Sequence, residues 1–141
     1  MIQRIQSVYL LLGALCVLAL LFVDGLWTSP AAETLSWFGP AVLGIGAVVV
    51  FVAVASIFLY KNRSRQRSVI VALQGITLVF VLVLYAGLYL TGMLASLTAS
   101  SAAVSLVLIL LLPVLAYVCF FLARRGVEKD IALVRSMDRL R

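Results

Sequence analysis

The sequence predicts an all-α integral membrane protein, a four-helix bundle with a short amphipathic C-terminal helix on the cytoplasmic side. Three observations carry that expectation. Hydrophobic residues make up 65% of the 141-residue chain and charged residues 11%, far from the balance of a soluble domain. The apolar residues gather into four runs of about 19 to 22 residues, and roughly 17 to 25 suffice to cross a hydrocarbon layer. All eleven Lys and Arg residues lie outside those runs.

The first helix is expected over about residues 5–23. A cleavable signal peptide is the competing reading, with Arg4 as its basic end and Ala31-Ala32 as a cleavage neighbourhood. The run is longer than a usual signal core, and no clean small-x-small site follows closely, which favours an uncleaved helix. Residues 24–39 then form a connection with Asp24 and Glu33 but no basic residue. Trp27, Trp37 and Phe38 near its ends suit the outer headgroup layer. A second helix is expected over 40–60, with Pro40 in its first turn, where a missing N–H costs nothing. Gly44, Gly46, Ala47, Ala53, Ala55 and Ser56 give it the small side chains through which helices approach in lipid.

Lys61, Arg63, Arg65 and Arg67 put four positive charges into a short loop. A third helix is expected over 69–90. After a short uncharged link comes a fourth over 101–122, where Pro113 should kink the helix or free a carbonyl. Residues 1–122 thus form the membrane domain and 123–141 a tail. Arg4, the four basic residues of the middle loop and six of the tail complete the eleven, and the two opposite loops hold none. By the positive-inside rule both termini face the cytoplasm.

On a helical wheel the tail places Val127, Ile131, Leu133, Val134, Met137 and Leu140 on one half and Glu128, Lys129, Arg135, Ser136 and Arg139 on the other. That pattern reads as amphipathic, and its arginines suit anionic lipid. Asp130 and Asp138 fall inside the apolar arc, where lipid phosphates would repel them, so a protein partner competes with lipid for that face. The arginine-rich loop is the nearest candidate. The predicted docking surface is therefore Lys61, Arg63, Arg65, Arg67, Asp130, Arg135, Asp138 and Arg139.

Histidine is absent, so a bis-histidine haem, a histidine metal centre and a histidine general base cannot be built from this chain alone. Cys16 and Cys119 are read as small apolar fillers, set apart by a depth difference of about 12 Å. No phosphate-binding glycine loop, Cys-x-x-Cys pair or nucleophile–base pair is present, so neither enzyme activity nor a cofactor or metal is expected. None of the four runs carries a charge away from its ends, which removes the usual residues of proton relay and ion coupling. Gln74 and Thr77, three apart, form the one candidate intramembrane polar contact, as interhelical glue or as a small polar site. Tyr85 and Tyr89 suit interface anchoring. The net charge of +6 sits beside helix ends and comes with no nucleic-acid motif, so nucleic acid is not an expected partner.

Several segments together resemble one family. They are the opening Met1-Ile2-Gln3-Arg4-Ile5-Gln6-Ser7, the stretch Phe58-Leu59-Tyr60-Lys61-Asn62-Arg63 with Gln66, and the ending Lys129-Asp130, Leu133-Val134-Arg135-Ser136 and Asp138-Arg139-Leu140-Arg141. The family is a Bacteroidota group of small four-helix membrane proteins carried under a domain-of-unknown-function label, and the resemblance runs end to end. The helices between the motifs match mainly in hydropathy, and Met137 stands where Ala is expected. The resemblance implies phylum, topology and an inner-membrane location, and brings no activity. The expected role is an accessory or scaffolding subunit, associating with membrane lipids and with itself or a larger membrane complex. The alternative is a small oligomeric transporter or channel for a neutral or lipid-like molecule.

Overall fold

Buried positions recur at alternating intervals of three and four residues along the long helices, the spacing that keeps one seam facing its neighbours in a left-handed bundle. The computed structural model describes residues 2–59, 62–94 and 103–138, with side chains over 5–59, 62–94 and 104–136. Its helices are α1 (Ile2–Leu21), α2 (Asp24–Trp27), α3 (Pro30–Thr34), α4 (Phe38–Phe58), α5 (Arg63–Leu90) and α6 (Ala103–Asp138). The seam of α1 is Gln6, Leu10, Gly13, Val17 and Leu20, that of α5 is Gln66, Ile70, Leu73, Thr77, Phe80, Leu84 and Gly87, and that of α6 runs from Leu106 to Asp130 without a break in spacing.

The long helices form a closed ring in which α1 packs on α4 and α6, and α5 on α4 and α6. Gly13 lies against Phe120, and Gly46 against Leu21 and Phe80, while Gly87 lies against Phe38. Each close approach therefore sets a hydrogen atom opposite a large side chain, which is how helices pack tightly where lipid gives no hydrophobic contrast. Together with the bonds that join Gln6 to Asp130, Arg67 to Glu128 and Tyr85 to Leu110, these contacts make every neighbouring pair antiparallel, so the start of α1, the start of α5 and the C-terminal part of α6 share one end.

Helices α4, α5 and α6 are each long and apolar enough to cross a membrane, and α1 joins them if it is taken together with the short helices after a bend of 56°. Large side chains such as Leu11, Phe51, Leu82 and Leu111 point outward. The chain is thus all-helical among the described residues, with three to four helices suited to a multi-pass membrane protein.

Two helices overrun the hydropathic boundaries. α5 starts at Arg63 rather than 69, because Asn62 caps it: its side-chain oxygen accepts from the Arg65 N–H at 3.2 Å. α6 is one helix of 36 residues, about 54 Å long, so the tail expected from residue 123 continues the fourth helix directly. Its buried face is Ala123, Val127 and Asp130, whereas Leu133 and Val134 are exposed. The expected apolar arc is therefore packed only in part: Val127 is buried and Ile131 lies against the core, whereas Leu133 and Val134 are not covered.

The connection after α1 is folded into a cap. Trp27 donates its ring N–H to the Leu21 carbonyl at 2.8 Å, closing the end of α1, and Ser29 accepts from Ala32 N–H to start α3. Phe38 is buried under Gly87 rather than anchored at an outer surface. At the end of α5, Gly92 adopts φ +68°, the left-handed value that a helix stop favours in glycine. Pro113 leaves α6 unbroken. The Tyr85 hydroxyl donates to the Leu110 carbonyl at 2.6 Å, in the turn that proline weakens, so Tyr85 is an interhelical tie and not an interface anchor.

Cys16 and Cys119 are free thiols, but the expected depth offset does not hold. It assumed a helix ending at 122. With Gly13 packed on Phe120 in antiparallel register, the two cysteines lie within about 3 Å of one level.

Candidate functional site

The end of the bundle that gathers the basic residues is also where its buried polar groups meet. Gln6, the first seam residue of α1, donates from Nε2 to the Asp130 carboxyl at 2.8 Å. Both side chains are buried, with Asp130 6% exposed. The helices come this close because position 126 is glycine: a Cβ there would sit 2.7 Å from Gln6 Cγ. Gln66 donates to the Ser56 carbonyl at 3.2 Å and so closes the α4–α5 turn from inside.

A second chain of contacts links α5 to α6. Arg124 donates from Nη1 to Gln74 Oε1 at 3.3 Å and from Nε to Glu128 Oε1 at 3.0 Å, and Arg67 Nε reaches the same oxygen at 3.0 Å. The hydrogen bonds from Arg124 and then Arg67 hold the Glu128 carboxyl below the usual carboxylate range, against a small opposing effect of burial. With the three side chains between a third and a half exposed, these bridges position α5 against α6 more than they stabilise the fold.

These contacts redistribute the predicted residues. Asp130 meets Gln6 and not the arginine-rich segment; the carboxylate that meets an arginine of that segment is Glu128, which the wheel had placed on the polar side. Arg63, Arg65 and Arg67 lie in the first turns of α5 rather than in a loop, and Arg65 and Arg135 are exposed. Lys61 and Arg139 lie outside the described residues, and Asp138 is described only in its backbone. Gln74 does pair across helices, but with Arg124. Thr77 instead donates to the Leu73 carbonyl of its own helix at 2.8 Å. Gln74 Nε2 is buried with no partner, a place where an ordered water would find a donor.

Sequence reasoning missed Gln6, Gln66, Arg124 and Glu128. The signal for the first two was present. Polar residues continuing a seam of three-and-four spacing into a helix end must face the neighbouring helix.

Two cavities sit at opposite ends. One of about 520 Å³ lies away from the basic end and is lined by Gly25, Ser29, Thr91, Gly92 and Ser105 among others. The Ser29 and Thr91 hydroxyls there already donate to the carbonyls of Leu26 and Gly87. The other, about 320 Å³, lies between α5 and α6 and is lined by Ser64, Arg67, Glu128, Ile131, Ala132 and Arg135.

The model of a family described as DUF4293, a domain of unknown function, matches residues 2–140. The chain belongs to the DUF4293 family. No curated protein and no solved structure matches it. In this DUF4293 chain the match takes in both partners of the Gln6–Asp130 pair, 124 residues apart, together with the Asn62 cap and the Gln66 tie. The matched residues therefore include the bonds that close one end of the bundle.

Proposed function

We propose that this DUF4293 chain is a small accessory or scaffolding subunit of the inner membrane of a Bacteroidota cell, crossing it four times with both termini in the cytoplasm. It associates with membrane lipids and with itself or a larger membrane complex, and acts through its basic cytoplasmic end without catalysis, cofactor or nucleic acid. The observation that supports this reading is a division of labour among polar side chains. Gln6, Ser56, Gln66, Thr77 and Asp130 are buried and hydrogen-bonded within the chain. Arg65, Arg125, Lys129 and Arg135 are exposed in a collar at one end. A transport pathway needs polar groups facing a passage; Gln74 and Thr77 are buried between helices, and the hollow between α4 and α5 at mid-length is lined by Gly44, Ile45, Val48, Ile76 and Val79, without a polar side chain.

The test is purification in mild detergent of the parent chain and of an Arg65→Glu/Arg125→Glu variant that still inserts. A stoichiometric companion, or self-association, that the variant loses is the expected result. A monomer without companion in both samples overturns the reading. Labelling of cysteines placed at 74 and 77 by a membrane-impermeant reagent would instead establish the transporter alternative.

A further inference from the structure

We propose that the cleft between α5 and α6 at the basic end binds a phosphoryl group, held by the guanidiniums of Arg67 and Arg135 and the hydroxyl of Ser64. The cleft has room for it, about 320 Å³, and the residues around it are arranged for an anion.

Arg67 is set in advance. Glu128 holds it through Nε at 3.0 Å, which leaves its two terminal nitrogens without a partner among the described residues. A guanidinium so fixed presents its remaining donors as a fork, the geometry that phosphate oxygens accept. Glu128 is the one carboxylate lining the cleft, and its Oε1 already serves both Arg67 and Arg124. Two arginines thus share one carboxylate, and Arg135 lines the same cleft without a carboxylate partner among the described residues, so the excess is positive. Asp130 does not line the cleft, its carboxyl being turned to Gln6.

Ser64 completes the rim. Its hydroxyl has no partner among the described residues, and it is the second residue of α5, whose first N–H groups have no acceptor within the helix. Asn62 takes the N–H of Arg65, and that of Ser64, which lines the cleft, has no acceptor among the described residues, at the positive end of a 28-residue helix. Ile131 and Ala132 supply an apolar wall. That mixture suits an organic phosphate, with its ester group against the wall, better than a bare ion. The source is an anionic lipid headgroup or a soluble phosphate ester.

The full chain in dodecylmaltoside is examined by native mass spectrometry with phosphatidylglycerol added, and by competition with millimolar glycerol 3-phosphate. Arg135→Gln and Ser64→Glu carry the test, since neither side chain makes a bond within the described fold. Each should weaken binding about tenfold or more, Arg135→Gln by the loss of one charge-assisted contact and Ser64→Glu by setting a carboxylate against the phosphoryl group. Glu33→Gln, at an exposed residue of α3 away from the basic end, should leave binding within about twofold of the parent, on the same scale. Displacement by glycerol 3-phosphate assigns the site to a soluble ester, and lipid binding that resists it assigns the site to a headgroup. Equal losses in all three variants, or no binding of either probe, overturn the proposal.

Discussion

Replacing Asp130 by alanine should destabilise the protein by roughly 2 kcal/mol, because it strands a buried donor and a stranded donor costs about 1–3 kcal/mol. Gln6 is 3% exposed, and its Nε2 has the Asp130 carboxyl at 2.8 Å as its acceptor. Neither water nor lipid can take that place without opening the α1–α6 contact over Gly126. Asp130→Asn keeps an acceptor oxygen of the same reach and should cost less than about 1 kcal/mol. The double variant Gln6→Leu/Asp130→Leu removes donor and acceptor together, and should recover to within about 1 kcal/mol of the parent. The assay is unfolding in mixed micelles of dodecylmaltoside and increasing dodecyl sulfate, followed by tryptophan fluorescence. Trp27 and Trp37 lie at the opposite end of the bundle, so their signal reports global unfolding and not local fraying. An Asp130→Ala protein as stable as the parent would refute the reasoning. So would a double variant weaker than the sum of its single changes, since the pair would then not be a tie.

Three further outcomes follow from the packing and the ion pairs. Gly13→Ala places a methyl group inside the Phe120 ring contact and should cost about 1–3 kcal/mol, whereas Gly44→Ala and Gly75→Ala meet nothing within 4 Å and should be neutral or stabilising by up to about 1 kcal/mol; the same unfolding assay ranks them, and losses at 44 or 75 would instead reveal a contact between copies. Tyr85→Phe deletes the bond to the Leu110 carbonyl and should cost about 0.6 kcal/mol, the average for interhelical bonds in membranes; loss of α6 helicity by circular dichroism would show that the bond does more. Glu128 has a lowered pKa, so its contribution is present above the unfolded value of about 4.3 and is lost as pH falls through the folded value. Glu128→Gln should flatten that acid decline in thermal melts, by well under 1 kcal/mol since the pair is partly exposed; an unchanged decline would assign it to other carboxylates.

Hydropathy located the apolar runs within a few residues, because a run of outward and inward apolar side chains is one continuous signal. It could not locate helix ends. Arg63 to Ser68 and Ala123 to Asp138 continue α5 and α6, since charged residues form helix as readily as apolar ones once they leave the apolar layer. Asn62, three residues before Arg65, was the legible cap. The inner face was hidden for a related reason: the helices are apolar all round, so hydrophobicity does not distinguish in from out. Small size does not distinguish it either: Gly13, Ser56, Ala116 and Ala123 are buried, but Gly44, Ala47 and Gly75 are exposed. The Gln6–Asp130 pair lay beyond sequence reasoning, because nothing local says that residues 124 apart share a level.

In the most apolar windows of α4, α5 and α6, only 28%, 33% and 33% of positions are buried. Each helix therefore carries one position with a demand on shape for every two that need only be oily. A chain built this way can be rewritten along most of its length without changing its fold, provided the glycines at the crossings and the ties at the basic end stay put. A library that scrambles Leu, Val, Ile and Phe at the outward positions should yield mostly folded members. Descent from a common ancestor would then leave its most readable record in the few bonds that close one end of the bundle, and its faintest in the helices that make up the bulk.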